Sequence, residues 1–404
     1  MLLATTSPMA LYNFFRRQAL DIQQAGFRIE AASAPGEKLA RFASETGLVT
    51  HALPLERPIR PVADLLALYR FWKLIRRFRP AIVHTHTPKA GLLGMLAARA
   101  AGTPIRIYTI NGLVLETRRG WRRWLLKVTE RVACGLATEV IAVSHSLARA
   151  IVELRLCDRR KLRVLGHGAS HGVDLERYPT TWGSAGERLR RELGIPEDGL
   201  VIGFVGRIVG DKGIKELAAA WRILRDQYTR LHLLLCGAFE PAEAVSRRTR
   251  RALEDDPRVH LIGERDPEMP AVYSAIDIVV LPSRREGLPN VALEAAAMRR
   301  PLVGTRVTGL VDAVVDGETG LLVNAGDAPA LAVAVGRLVS DHALRRQMGE
   351  AARWYVAARF DQRDVSRRLI EEYRRLIEAS GVRPRLRRKT AREDTDAATV
   401  EARV

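Results

Sequence analysis

Cysteine is scarce in this 404-residue chain. Cys134, Cys157 and Cys236 are odd in number, widely separated and without metal-ligand spacing. Neither a disulfide framework nor a zinc site is indicated, and the three are assigned to packing. Long apolar runs are missing too: no stretch reaches the ~18 consecutive apolar residues of a spanning helix, so a transmembrane segment is not expected. Residues 1–10 are mildly apolar but lack a basic leader and a small-residue cleavage site, so they read as a first strand rather than a signal peptide, and the expected location is cytoplasmic. No internal repeat suggests a solenoid. Acidic residues are in deficit, 46 Asp+Glu against 65 Lys+Arg, which leaves a formal net charge of +19.

That charge is uneven. Residues 1–180 hold 28 Lys+Arg against 13 Asp+Glu, whereas residues 181–380 hold 30 against 29. A basic half beside a neutral half points to one domain that meets something anionic: a membrane leaflet, a polyphosphate-bearing acceptor or nucleic acid. With 47% hydrophobic and 27% charged residues, the composition is that of a globular protein able to bury large cores, and the length favours two domains.

Short apolar runs alternate with helical patterns throughout. Strands are expected at 27–32, 81–84, 105–109, 140–143 and 162–165, then at 200–205, 231–236, 259–262, 276–281, 302–304 and 320–323. Such alternation implies α/β architecture, two doubly wound parallel-sheet domains. The turn formers of Tyr178-Pro179-Thr180-Thr181-Trp182-Gly183-Ser184 read as the hinge, which divides the chain into domains 1–180 and 181–360. Val365, Leu369, Ile370, Tyr373 and Ile377 recur at helical spacing, so 361–380 is a long amphipathic helix, expected to pack back toward the first domain. The tail 381–404 has almost no bulky apolar residues and is expected to be disordered and basic.

The most informative segment is Arg284-Arg285-Glu286-Gly287-Leu288-Pro289-Asn290-Val291-Ala292-Leu293-Glu294, directly after an apolar strand. It turns through Glu286-Gly287 and enters a helix at Pro289, which fits a first helical position because it has no N–H to satisfy. Backbone amides gathered at such a helix start attract anions. Glu286 then lies in the loop and Glu294 on the helix, roughly 8 to 12 Å apart at ~1.5 Å per helical residue. The paired carboxylates of a retaining glycosidase stand only ~5 to 5.5 Å apart. The pair is therefore ill placed to act on one bond, and well spaced to hold two ends of an elongated ligand with hydroxyls at both. A second loop repeats the theme. The strand 200–205 leads to Gly206-Arg207 and on to Asp211-Lys212-Gly213, where a helix begins. Gly206 and Gly213 let backbone approach a ligand, and Arg207 and Lys212 can neutralise a diphosphate without a metal.

Arg207, Lys212, Glu286 and Glu294, with Pro282-Ser283 before and Ala295 after, resemble the donor half of glycosyltransferase family 4. His84-Thr85-His86-Thr87-Pro88-Lys89-Ala90-Gly91 and Gly172-Val173-Asp174 resemble family segments as well, so the likeness spans all but the tail. It implies the GT-B fold, two Rossmann-like domains facing a cleft, and transfer with retention of the donor's anomeric configuration. By resemblance Arg207 and Lys212 hold the donor pyrophosphate, Glu286 contacts hydroxyls of the transferred sugar, and Glu294 holds the ribose. The amides of Gly287 and Leu288 line the same pocket. Catalysis then means stabilising the departing phosphate, which fixed cations do directly, so Glu286, Arg207 and Lys212 are the catalytic candidates. Asp394-Thr395-Asp396 is the one Asp-x-Asp, and it lies in the tail rather than in a strand-end loop, so no metal or cofactor is expected.

Two departures stand out. Ser7-Pro8-Met9-Ala10 occupies the place of the family's glycine-rich loop, and Thr109-Ile110-Asn111-Gly112 has Asn111 where a histidine is common, though Asn111 can still hydrogen-bond the donor. Ser7, His86 and Lys89 are candidate acceptor contacts, although a histidine at a strand end is more often structural. Tyr69-Arg70-Phe71-Trp72-Lys73-Leu74-Ile75-Arg76-Arg77-Phe78-Arg79 and Trp121-Arg122-Arg123-Trp124-Leu125-Leu126-Lys127 alternate aromatics and cations. That composition suits docking on the inner face of an anionic membrane and binding of a polyprenyl-diphosphate-linked saccharide; it also suits a core stripe with solvated arginines. The histidine-rich segment resembles the branch that builds capsule, O-antigen and other lipid-linked surface glycans, which implies a hexose or N-acetylhexosamine from a UDP donor. Two other readings are a UDP-sugar 2-epimerase on the same fold, which would not need the charge asymmetry, and a non-catalytic nucleic-acid-binding protein, for which no recognition motif is evident.

Overall fold

The computed structural model describes residues 1–55, 60–179, 183–240, 245–265 and 268–382. Within these residues the chain forms two parallel sheets, one of seven strands and one of six. The first contains β1 (Leu2–Ala4), β2 (Glu30–Ser33), β3 (Val49–Ala52), β4 (Ile82–His86), β5 (Ile105–Ile110), β6 (Glu139–Ala142) and β7 (Leu162–Arg163), in the spatial order β3-β2-β1-β4-β5-β6-β7. The second contains β8 (Leu200–Val205), β9 (Leu231–Cys236), β10 (Val259–Gly263), β11 (Ile278–Leu281), β12 (Leu302–Thr305) and β13 (Gly320–Val323), in the order β10-β9-β8-β11-β12-β13. Each order reverses once, between β1 and β4 and between β8 and β11. In open α/β sheets such a switch point leaves a ligand-binding crevice beyond the strands' carboxyl ends.

Burial explains why these segments are strands. Parallel strands covered on both faces read as continuous apolar runs, and β9 is buried along its whole length. In the first sheet the side-chain alternation of a strand sorts residues into two cores. Leu3, Ile107 and Ile141 enter one with Phe15 and Ile22 of helix Pro8–Gln24. Leu2, Tyr108 and Val140 enter the other with Phe71 and Ile75 of helix Pro61–Phe78 and Met95 of helix Pro88–Ala100.

The chain passes between the domains twice, and the two passages are tied together. The Val173 N–H donates to the Phe360 carbonyl at 2.8 Å, and the Gln362 N–H donates to the Val173 carbonyl at 3.0 Å. Helix Gln362–Ser380 then lies on the first domain, where Leu369, Ile370, Tyr373 and Leu376 join the core of helix Pro8–Gln24. A buried polar contact helps fix it: His84 Nδ1 and the Tyr373 hydroxyl share a 2.6 Å hydrogen bond, and His84 Nε2 pairs with Thr109 Oγ1 at 2.7 Å. Burial pushes the His84 imidazole down to about 3, so it is neutral at physiological pH.

Several boundaries differ from the sequence reading. β3 was not anticipated: it is an edge strand whose residues are half-buried or exposed, so it lacks an apolar run. The strand expected at 27–32 begins at Glu30, and β7 is only two residues long. Pro289 is the residue preceding helix Asn290–Ala297, in an extended conformation, rather than its first residue. Gly183 and Ser184, read as hinge, open helix Gly183–Glu192, while residues 180–182 and the tail beyond 382 lie outside the described residues.

Tyr373→Phe leaves His84 Nδ1 buried without its partner, at a cost of about 1–3 kcal/mol. Urea unfolding should show a lower midpoint with an unchanged slope; a parental midpoint would show that the hydroxyl does not anchor the helix.

Candidate active site

Two second-domain loops meet at the switch point because Gly213 carries no β-carbon where it touches Pro282. A Cβ on Gly213 would lie 1.9 Å from the Pro282 carbonyl oxygen. This close approach sets the short 3-10 turn Gly210–Lys212 against the turn after β11, and the Arg284 N–H donates to the Asp211 carbonyl at 2.9 Å. Lys212 Nζ consequently reaches Glu286 Oε1 at 2.5 Å. The same oxygen accepts from the Ser283 hydroxyl at 2.6 Å, and Ser283 is fully buried, with its carbonyl accepting from Thr305. Glu286 is therefore held from two sides before any ligand arrives.

Glu294 sits on helix Asn290–Ala297, where its Oε2 accepts from the Tyr273 hydroxyl at 2.7 Å. Burial is the main cause that raises the Tyr273 phenol well above its ordinary range, so it remains a donor. Gly206 and Arg207 follow β8 directly, and Arg207 Nη1 donates to Glu240 Oε2 at 2.7 Å. Leu288 is buried.

The first domain closes on these loops. A Cβ on Gly287 would stand 1.9 Å from the Asn111 carbonyl oxygen, and the Asn111 side chain is exposed at this junction. The Ser144 hydroxyl donates to the Gly287 carbonyl at 2.7 Å while accepting from Leu147 N–H as the cap of helix His145–Glu153. The Gly309 N–H donates to Ser146 Oγ at 2.7 Å, and Ser146 also bonds Asp312. On the other side Asp211 accepts from Thr117 at 3.2 Å and from Arg285 Nε at 3.1 Å. Thr308 donates to Glu116 at 2.8 Å, and burial is what raises the Glu116 carboxyl above its ordinary value. None of Thr117, Glu116, Ser144, Ser146, Asp312 or Thr308 is a sequence candidate; polar residues in loops and short helical turns carry no periodic signal.

The three candidate acceptor contacts are placed differently. Ser7 precedes helix Pro8–Gln24 in extended conformation and its side chain makes no capping bond, leaving it half-buried at the end of the first strand's loop. Lys89 Nζ reaches Asp64 Oδ1 at 2.6 Å. His86 corrects the expectation: it is only 2% exposed, packed 4.3 Å from the rings of both Phe15 and His84, with neither ring nitrogen hydrogen-bonded. Burial first, then the neighbouring His84 and His171, lowers its imidazole well below the usual value, so it lies neutral beneath the cleft floor rather than facing a phosphate. Among the described residues no group of three or more His, Cys, Asp or Glu is arranged to hold a metal ion.

Two parallel α/β domains facing across a cleft, with cations and carboxylates at the strand ends, define a GT-B glycosyltransferase. Residues 13–168 match the glycosyl transferase 4-like domain and residues 199–341 match the glycosyl transferases group 1 domain. The capsular polysaccharide biosynthesis glycosyltransferase CapM of Staphylococcus aureus is 34% identical over 367 residues, covering 91% of this chain and 93% of that protein. The chain belongs to this glycosyltransferase family, with its 4-like and group 1 domains, and is a transferase. The UDP-Gal:alpha-D-GlcNAc-diphosphoundecaprenol alpha-1,3-galactosyltransferase of Escherichia coli is 27% identical over 71% of this chain and 74% of its own length. The crystal structure of Anabaena Alr3699/HepE in complex with UDP and glucose superimposes with a TM-score of 0.76 at 20% identity, over 92% of this chain and 98% of that one.

Gly287→Ala forces the Asn111 and Gly287 backbones apart. It is expected to increase the radius of gyration in small-angle scattering and, since a 1 Å misplacement can cost about a hundredfold in rate, to lower turnover by roughly that factor. Parental scattering together with parental turnover would contradict the closed arrangement.

Proposed function

We propose that the chain is a retaining glycosyltransferase that moves a hexose or N-acetylhexosamine from a UDP-sugar onto a polyprenyl-diphosphate-linked saccharide, in surface polysaccharide assembly at the inner face of the membrane. The observation that carries this reading is the Lys212–Glu286 pair, a cation and a carboxylate 2.5 Å apart at the mouth of the switch-point crevice. A nucleoside diphosphate sugar presents the complementary pair of groups, a charged diphosphate next to neutral hydroxyls.

In this reading the bond from the sugar's anomeric carbon to the β-phosphate oxygen breaks, and an acceptor hydroxyl oxygen takes its place on that carbon, its proton passing to the departing phosphate. Negative charge develops on the departing phosphate. Lys212 has three N–H donors, so it can serve Glu286 and a phosphate oxygen together, and Arg207 supplies a second cation on exchanging Glu240 for the ligand. Charge is thus stabilised by groups already in place, with no metal in the scheme. Glu286 Oε1 is taken by Lys212 and Ser283, which leaves Oε2 for a sugar hydroxyl. Glu294, steadied by Tyr273, holds the ribose, and the Gly287 and Leu288 amides, with Asn111, line the pocket.

The relatives support the donor and acceptor classes. One is named for UDP-galactose and a GlcNAc-diphosphoundecaprenol acceptor, another for capsular polysaccharide, and a structural neighbour was crystallised with UDP and glucose. The basic first domain suits an acceptor that carries a diphosphate and resides in an anionic leaflet.

Transfer from radiolabelled UDP-sugars to polyprenyl-diphosphate-linked N-acetylglucosamine tests the reading. Glu286→Ala and Lys212→Ala should each lower kcat by about 10²–10³, the usual cost of losing one preorganised electrostatic group. Turnover near the parental rate in folded Glu286→Ala would remove that carboxylate from the site.

A further inference from the structure

The three cysteines are not equivalent in the fold. Cys236 is buried in β9, where burial pushes its thiol up to about 11. Cys134 is buried in the last turn of helix Gly120–Leu136, and Cys157 is partly exposed in the loop after helix His145–Glu153. Two contacts lay that loop on the helix end. Arg131 Nε donates to the Arg155 carbonyl at 2.9 Å, and Lys161 Nζ donates to the Gly135 and Ala137 carbonyls, each at 3.0 Å. Residues three and four apart on a helix share a face, so Cys134 lies with Arg131 and Gly135 between the two ties, as Cys157 does between Arg155 and Lys161. Arg155 turns the chain through a left-handed conformation, φ 53°, which sends Leu156 into the core and packs Cys157 against the cluster that contains Cys134.

The two sulfurs meet different surroundings. Cys157 donates its S–H to the Asp158 carbonyl at 3.3 Å on the exposed side. The Cys134 thiol beside it is the main cause that holds the Cys157 thiol below its ordinary value; the Lys161 cation adds to this, while burial and the Asp158 and Glu139 carboxylates oppose it. Cys134 is raised instead, first by Cys157 and then by burial. An accessible thiol of enhanced acidity backed by a buried one is the arrangement of an attacking cysteine with its resolving partner. The pair stands away from the cleft. Each helix begins beyond the carboxyl end of its strand, β5 and β6, and runs back to the opposite edge of the sheet.

We propose that Cys157 and Cys134 are a modification site for low-molecular-weight disulfides, with Cys157 the attacking thiol and Cys134 the resolving one. The Cys157 thiolate attacks one sulfur of the reagent, whose S–S bond breaks, and the first thiol leaves with the proton that Cys157 lost. Cys134 then attacks Cys157 Sγ, the mixed disulfide breaks, and the second thiol leaves with the Cys134 proton. The two cysteines give up two electrons, which reduce the reagent to two thiols. The resulting bond would join the far ends of two helices whose near ends hold the second domain: Thr117, just ahead of the first, donates to Asp211, and Ser144, the cap of the second, donates to the Gly287 carbonyl. Oxidation at the back of the first domain would thereby stiffen the elements that close the cleft.

The test treats the reduced full chain with oxidised glutathione at neutral pH and follows intact mass, peptide maps and hydrogen exchange. The parent should lose two hydrogen atoms, link Cys134 to Cys157 and retain no glutathione; dithiothreitol should reverse the change. Cys134→Ser should keep one glutathione on Cys157, Cys157→Ser should take none, and Cys236→Ser should behave like the parent. Within the parent, Cys157 should react at least about tenfold faster than Cys236, as thiolate character and exposure require. Circular dichroism checks each variant's fold, with Cys134→Ala in reserve should a buried serine hydroxyl unfold the chain. Exchange in helices Gly120–Leu136 and His145–Glu153 should slow on oxidation. A stable glutathione adduct on the parent, a disulfide to Cys236 or to a second chain, oxidation only in urea, or a Cys157 no faster than Cys236 would overturn the proposal. Equal exchange in the two forms would overturn the stiffening. None of these readouts depends on what the cleft binds, so they are separate from any failure of the donor-site reading.

Discussion

Backbone laid on backbone, with no side chain between, is the constraint on which this molecule turns. Gly213 against Pro282 brings the loop after β8 to the turn after β11, and Gly287 against Asn111 brings that turn to the first domain. Each junction puts a would-be Cβ at 1.9 Å from a carbonyl oxygen, a distance no packing adjustment absorbs in a dense interior. The first junction creates the Lys212–Glu286 pair and the second places the first domain's strand ends over it. The hydroxyl bonds from Ser144 and Ser146 and the Asp211–Thr117–Arg285 cluster reinforce a geometry that the glycines permit.

Electrostatics follow from that geometry. Lys212 and Glu286 have side chains 23% and 9% exposed, Arg207 and Glu240 39% and 29%, so each cation already has a carboxylate. A buried or half-buried charge without a partner is costly, and removing one member of such a pair strands the other. In the proposed donor site the pairs also prepare a choice of ligand. A diphosphate brings more charge than a single carboxylate and can replace Glu240 on Arg207, while Lys212 keeps Glu286 in place through a second N–H. Ser283 keeps that carboxylate fixed while its cation is shared, which is why a fully buried hydroxyl beside it matters.

Much of the fold was legible because parallel strands covered on both faces must be apolar runs, and β8, β9 and β13 coincide with the expected ranges for that reason. The half-buried edge strand β3 was hidden by the same logic. Among the candidate site residues, Arg207, Lys212, Glu286 and Glu294 stand out because charge at a strand end beside a glycine or a helix start is unusual. The cross-domain bonds could not be read: Ser144 and Gly287 are 143 residues apart, and a serine at a strand end looks like any cap. His86 shows the opposite failure, since a histidine at the last position of a strand is indistinguishable in sequence from one that faces the cleft. The exposed apolar side of helix Pro61–Phe78 was missed because Val62, Leu65 and Leu66 mix with core residues at helical spacing until the buried face is known.

The account stands or falls on whether the crevice at Lys212 and Glu286 is a nucleoside diphosphate site. The direct measurement is calorimetric titration of the full chain with UDP, GDP and ADP, beside Lys212→Ala. Saturable binding selective for UDP, weakened by about tenfold or more in the variant, is what loss of one charge-assisted phosphate contact predicts. Failure of the parent to bind any of the three nucleotides, or UDP binding equal in parent and variant, would contradict it.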